Sequence, residues 1–313
     1  MSESPSDETL PSGPCLGQAK WLIDSRCELG EGPGWDAGRS ELRWLDILAG
    51  ELHRARGDGR EHRVTRLAHR TSYAALTRDD DYLLVAENRL SRFDPQTGAT
   101  RDFLPFEADN PVTRSNDARV DTHGSLWLST MGLGAEPGAG SLYRLHRGEL
   151  TRLRRGLTIP NALCFSPDGR HAYVSDTATG WVMRWALDDQ GFPVRGQDGA
   201  FADPELWADL RQSGGGPDGA VMDSEGCLWI ALWGAGRVAR LSPEGDEIAH
   251  VRVPARQPSC PVFGGAALTT LYVTTAREGM AAPEAADGGV FAIELAERLP
   301  GCRGLAEPPL RLA

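Results

Sequence analysis

Apolar and polar residues alternate along this chain in short runs rather than in long helical stripes. A polar turn bearing Asp or Gly leads into a short strand that opens near an aromatic, and a second turn leads into another strand. Six copies can be followed: SELRWLDILAGELHRA, DDDYLLVAENRLSRFDP, HGSLWLSTM with GSLYRLHRGE, DGRHAYVSDTATGWVMRWALD, EGCLWIALWGAGRVARLSPEG, and TTLYVTTAREGM with GGVFAIEL. Their marker aromatics are Trp44, Tyr82, Trp127, Tyr173, Trp229 and Tyr272, at steps of 38, 45, 46, 56 and 43 residues. Stretches such as LWLST, AYVSD, LWIAL and LYVTT are rich in β-branched and aromatic residues, as strands are. Turns such as Ser166-Pro167-Asp168-Gly169 separate them.

Short strands with regular turns predict an all-β sandwich, barrel or propeller. Six copies at blade spacing select a six-bladed β-propeller. Such a ring must close. The strand-like segment AKWLID, residues 19–24, is expected to pair beside the last strand, near residues 289–295, and complete the sixth blade.

Composition narrows the function. The 313 residues carry a net charge of −11, which repels phosphate backbones and anionic bilayers; neither nucleic acid nor membrane is expected as a partner. Six scattered cysteines without a CxxC pair argue against thiolate zinc and against a disulfide framework, and read as buried free thiols. The start, MSESPSDETLPSGP, lacks the basic and apolar regions of a signal peptide. The expectation is a cytoplasmic protein with a disordered acidic tail at 1–14 and one propeller domain over 15–313.

In a propeller the innermost strand of each blade lines the channel. The segments one strand before the marker aromatics carry polar groups in four blades: residues 29–33 (LGEGP), 114–117 (RSND), 159–163 (IPNAL) and 216–219 (GPDG). Blade symmetry makes these converge on the axis. Glu31, Asn161 and Asp218 then offer two carboxylates and an amide oxygen, a set that suits one hard divalent cation such as Ca²⁺, Mg²⁺ or Mn²⁺. Asn116 supplies a fourth ligand or binds substrate. No histidine lies in these segments, which disfavours imidazole-rich zinc but leaves oxygen-ligated zinc or Fe(II) open. The seven histidines read as surface residues of turns and strand rims.

These segments resemble the SMP-30/gluconolactonase/LRE-like family, which includes regucalcin and bacterial sugar lactonases. The resemblance rests on residues 27–35 (CELGEGPGW), 44–47 (WLDI), 114–121 (RSNDARVD), 124–131 (GSLWLSTM) with 140–143 (GSLY), and 158–177 (TIPNALCFSPDGRHAYVSDT). It continues through 217–223 (PDGAVMD), 226–233 (GCLWIALW) and 260–280 (CPVFGGAALTTLYVTTAREGM), and so runs from about residue 26 to 295. It implies that Glu31, Asn161 and Asp218 are metal ligands and that Asp218 is also the suspected general base. It implies that Arg114, Asn116 and Asp117 meet substrate hydroxyls, with Glu136 joining them from a loosely aligned loop. Ala118 and Ala162 stand where the family often has glycine, and alanine there calls for ordinary backbone angles.

The resemblance implies metal-dependent hydrolysis of a small sugar lactone to the aldonic acid. A cation would stabilise the developing oxyanion as a Lewis acid. The residues leave open whether Asp218 takes a proton from water or only holds the metal, and no GxSxG elbow supports a serine hydrolase. Two further readings are a calcium-binding regulatory protein of the regucalcin type and a related esterase or organophosphate hydrolase; a protein-binding scaffold fits poorly with polar groups on the axis.

Overall fold

The computed structural model describes residues 13–312, and these contain strands and turns but no α-helix. The strands form six antiparallel meander sheets arranged as a six-bladed β-propeller. The inner strands are Gly30–Asp36, Thr71–Leu76, Thr113–Val120, Pro160–Phe165, Gly216–Met222 and Gln257–Gly264, for blades 1 to 6. Each lies against its neighbours in the ring, with blade 6 back against blade 1. All six marker aromatics fall on the second strand of their blades, and Trp44, Trp127 and Trp229 are wholly buried between sheets. Burying such rings stabilises each interface by roughly 2–3 kcal/mol.

Closure follows the expected scheme, with an addition. Lys20–Ile23 pairs antiparallel with Val290–Glu294 and forms the outer strand of blade 6. The preceding strand, Cys15–Gln18, was not anticipated. It runs parallel to Glu247–Arg252 as a fifth strand on blade 5. Of the expected acidic tail, residues 1–12 lie outside the described residues, while Pro14 already accepts a hydrogen bond from His250 N at 3.1 Å. At the other end of the chain, residues 302–312 cross beneath the ring. Gly304 bridges to Asp223 of blade 5, Leu310 to Thr77 beside blade 2, and Arg311 N donates to Gly124 O of blade 3.

Among the described residues, no helix is long and apolar enough to cross a membrane. All six cysteines are free, and all but Cys15 are buried as expected. The histidines depart from expectation. His53 and His250 are buried and the other five are half-buried. His53 stacks on His62 and lies tilted against Trp44, and burial pushes its pKa down to about 4.

Candidate functional site

Each inner strand carries a register shift close to its N-terminal end: at Glu31/Gly34, Thr71/Tyr73, Ser115/Ala118, Asn161/Cys164, Pro217/Ala220 and Pro258/Cys260. A bulge of this kind re-aims a side chain that would otherwise follow strand alternation. Six equivalent bulges thus turn one short segment per blade toward one end of the channel. Gly32 permits the first of them with φ of 54°, and a Cβ on it would stand 2.2 Å from Ser72 O. After Asp218, a Cβ on Gly219 would collide with Cys260 Sγ at 2.4 Å. At blade 4 the backbone corrects an expectation. Ala162 adopts φ of 56°, the left-handed conformation of Gly32, because the bulge that aims Asn161 demands it; Ala118 has no such strain.

A run of hydrogen bonds lines this end from blade 3 to blade 5. Arg114 Nη1 donates to Asn116 Oδ1 (3.0 Å), Asn116 Nδ2 to Asn161 Oδ1 (3.0 Å), Asn161 Nδ2 to Thr177 Oγ1 (2.9 Å), and Thr177 Oγ1 to Pro217 O (2.7 Å). On the far side, Ser259 Oγ donates to Gly30 O, while Ser72 Oγ (3.4 Å) and Ser115 Oγ (3.2 Å) share Val85 O. The chain of donors fixes which end of the Asn161 amide presents oxygen. The bulges of blades 2 and 6 carry Ser72 and Ser259 rather than acidic or amide side chains.

Glu31, Asn161 and Asp218 are all buried. Burial, with the nearby Asp117 charge, pushes the Glu31 carboxyl up to about 8. Burial and the charges of Glu31, Asp117 and Glu278 raise Asp218 well above the usual range. Arg43–Glu307, Arg144–Asp121, Arg237–Glu247 and Arg240–Asp223 are the well-buried ion pairs, and among the described residues neither Glu31 nor Asp218 has such a partner. Two buried carboxylates without a cation are costly unless one is supplied. Asn161, linked through Thr177 to the carbonyl of Pro217 just before Asp218, adds a neutral oxygen. This donor set therefore fits a hard divalent cation. A second cluster does not: Asp223, Glu225 and Cys302 offer ligand atoms within 4.8 Å of one another, but Arg240 donates to both carboxylates and takes the cation's place.

The substrate candidates divide. Arg114 and Asn116 are buried at the mouth, and burial lowers the pKa of Arg114 against the pull of Glu278 and Glu31. Asp117 is buried too, but its oxygens accept from Ala118 N (2.7 Å) and Leu163 N (2.9 Å), tying blade 3 to blade 4; burial pushes its carboxyl up to about 6. Glu136 is exposed in the loop after Leu126–Gly132, and its carboxylate accepts from Gly134 N at 3.0 Å. Three participants escaped the sequence reading. Thr177 follows the second strand of blade 4 and orients Asn161, and Glu278 follows that of blade 6 and faces Arg114 and Asp218 electrostatically. The loops leaving second strands reach this same end, which is the signal that could have found both. The third, Arg119, lies inside the quoted RSNDARVD segment.

A β-propeller with an oxygen-rich, uncompensated acidic mouth defines the class. The family model described as "SMP-30/Gluconolactonase/LRE-like region" matches residues 29–277. The chain belongs to the SMP-30/gluconolactonase/LRE-like family. It is 38% identical to an L-arabinolactonase of Azospirillum brasilense, covering 88% of this chain and 91% of that one. It is 36% identical to a 6-deoxy-6-sulfogluconolactonase of Pseudomonas putida, covering 92% and 97%. The crystal structure of a calcium-binding protein, regucalcin, from Agrobacterium tumefaciens superposes with a TM-score of 0.87 at 35% identity, covering 96% of this chain and 100% of that one.

Proposed function

We propose that this chain is a sugar lactonase that opens a small aldonolactone at the channel mouth, with one divalent cation held by Glu31, Asn161 and Asp218. The observation that carries the reading is two buried carboxylates, without an ion-pair partner among the described residues, together with an amide oriented by its neighbours, each from a different blade. Its relatives named as lactonases support the reaction class. When bound, the cation supplies Lewis acidity that draws charge onto the lactone carbonyl oxygen. Asp218 is assigned the proton transfer, taking a proton as water adds to the carbonyl carbon and returning it to the ring oxygen as the ester bond breaks. Arg114 and Glu136 are assigned to the sugar hydroxyls, which orients the ring and separates sugar lactones from plain esters. Asn116 and Thr177 hold Asn161 in register.

A panel of sugar lactones, assayed on chelated protein re-supplied with Ca²⁺, Mg²⁺, Mn²⁺, Zn²⁺ or Fe(II), tests this and identifies the ion. Loss of a ligand should remove several kcal/mol of transition-state stabilisation, so Asp218→Ala or Glu31→Ala should cost at least about a thousandfold in kcat/KM. Full activity of both variants in chelator would end the reading. The likeness to a regucalcin favours a second one, in which the cation itself is the ligand. Tight calcium binding without turnover of any lactone would select it.

A further inference from the structure

Arg119 reaches out of the inner strand of blade 3 and across the channel. Its Nη2 donates to Ala220 O of blade 5 at 2.8 Å, and its Nε to Leu163 O of blade 4 at 3.4 Å. The guanidinium carbon stands 6.0 Å from the centroid of the Tyr73 ring of blade 2. One side chain therefore braces four blades and spans the axis. Beyond it, toward the opposite end, lies a cavity of about 530 Å³ walled by apolar groups such as Trp35, Val120, Phe165, Met222 and Phe263. A guanidinium is an expensive roof for such a chamber, where a Met or Leu would fill the space without desolvating a charge.

The charges around Arg119 supply its reason. On the chamber side, the Glu307 carboxylate is already satisfied by Arg43 Nη2 at 2.7 Å and by the Tyr73 hydroxyl at 2.6 Å. At the mouth, Glu278 acts on Arg114 more strongly than any other charge, and Arg114 acts in turn on Glu31; this pair adds one charge of each sign and leaves the net charge of the mouth unchanged. Glu28 is spent on Arg277 at 3.3 Å, and Arg70 is exposed to solvent. What remains is the buried Glu31, Asp117 and Asp218 on one side and the half-buried Arg119 on the other. Among the described residues no carboxylate lies within ion-pair distance of Arg119, yet its charge acts on both Glu31 and Asp117. Three carboxylates against one guanidinium leave two negative charges, the complement of a divalent ion.

We propose that Arg119 is a positioning residue for charge: a fixed counter-ion beneath the acidic mouth that matches the site to divalent and against trivalent cations. The inference rests on the metal reading given above. Removing the guanidinium deepens the negative potential, which favours every cation but a trivalent one most. In the chelated protein, Ca²⁺ and La³⁺ are titrated by calorimetry at fixed pH and salt into the wild type, Arg119→Met, Asp117→Asn and the double variant. Arg119→Met should tighten Ca²⁺ and should raise the preference for La³⁺ over Ca²⁺ by at least about tenfold. Asp117→Asn should lower that preference by a similar factor, and the double variant should return it to the wild-type value, which no loss of packing would do. An unchanged preference in folded Arg119→Met, or a double variant that fails to restore it, would overturn the proposal. If Arg119→Met does not fold, Arg119→Gln, which keeps donors for the Leu163 and Ala220 carbonyls, is titrated in its place, and an unaltered preference there refutes the proposal. Wild-type protein that binds no Ca²⁺ would instead sink the metal reading itself.

Discussion

At the scale of single residues, Ala162 shows where a site departs from its sequence. The motif around Asn161 was readable, and so was the absence of glycine after it; the φ of 56° was not, because alanine ordinarily avoids that region. The bulge holds it there, at a cost of about 1–2 kcal/mol for a non-glycine residue. Ala162→Gly removes that strain, but it also gives up a buried methyl worth about 0.8 kcal/mol and loosens the unfolded chain. Denaturant unfolding should therefore place Ala162→Gly within about 1 kcal/mol of wild type. A branched Cβ at the same angle is strained further, so Ala162→Val should lose at least about 2 kcal/mol. Equal stability of Ala162→Val and wild type would mean that the bulge is not stiff enough to aim Asn161. Glu31, Asn161 and Asp218 could be singled out for a different reason: acidic and amide groups recur near the start of the innermost strand in several blades. The spending of Asp117 on Ala118 N and Leu163 N was illegible, since hydrogen bonds between blades leave no periodic mark.

At the scale of strands and blades, the aromatic markers made the repeat visible because each must fill the gap between two sheets. The long step of 56 residues between Tyr173 and Trp229 reflects an excursion before the outer strand of blade 4, where isolated bridges join Leu187 to Pro193 and Arg195 to Phe201. Closure was legible only in part. The apolar stretch WLI announced a strand, whereas CLGQ has too little pattern to announce the second one, which is held by backbone pairing and by Ala19 N donating to Arg252 O at 2.8 Å. The N-terminal segment clasps blades 5 and 6 together with Ala19 and Ile23 buried. A chain starting at residue 25 exposes two sheet edges and opens the ring at its seam. Relative to a chain starting at residue 13, its melting temperature should fall by roughly 10 °C or more, given the few degrees that each kcal/mol shifts a domain of this size. No drop would show that the ring is closed by blade-to-blade packing alone.

For the molecule as a whole, the acidic mouth ties stability to pH and metal together. In the chelated protein the Glu31 carboxyl is pushed up to about 8 and Asp117 to about 6, both chiefly by burial, and Asp218 is raised as well. In the unfolded chain the same groups titrate near 4. Between those limits these groups hold more protons in the folded, metal-free protein than in the unfolded chain, so the stability they contribute is fully present below about pH 4 and is lost as pH rises through about 8. Glu31→Gln keeps the size of the side chain and removes one titrating group. With chelator present, the melting temperature of this variant minus that of wild type should therefore climb from pH 5 to pH 8. Saturating divalent cation reverses the order. Binding requires the deprotonated ligands, releases protons and stabilises only the folded wild type, more so as pH rises. A difference that stays flat with pH in chelator would mean that the two carboxylates are not held together in the dry ring of blades. The same burial that leaves Glu31 and Asp218 without an arginine partner, and places Arg119 below them, would then have no claim on a cation.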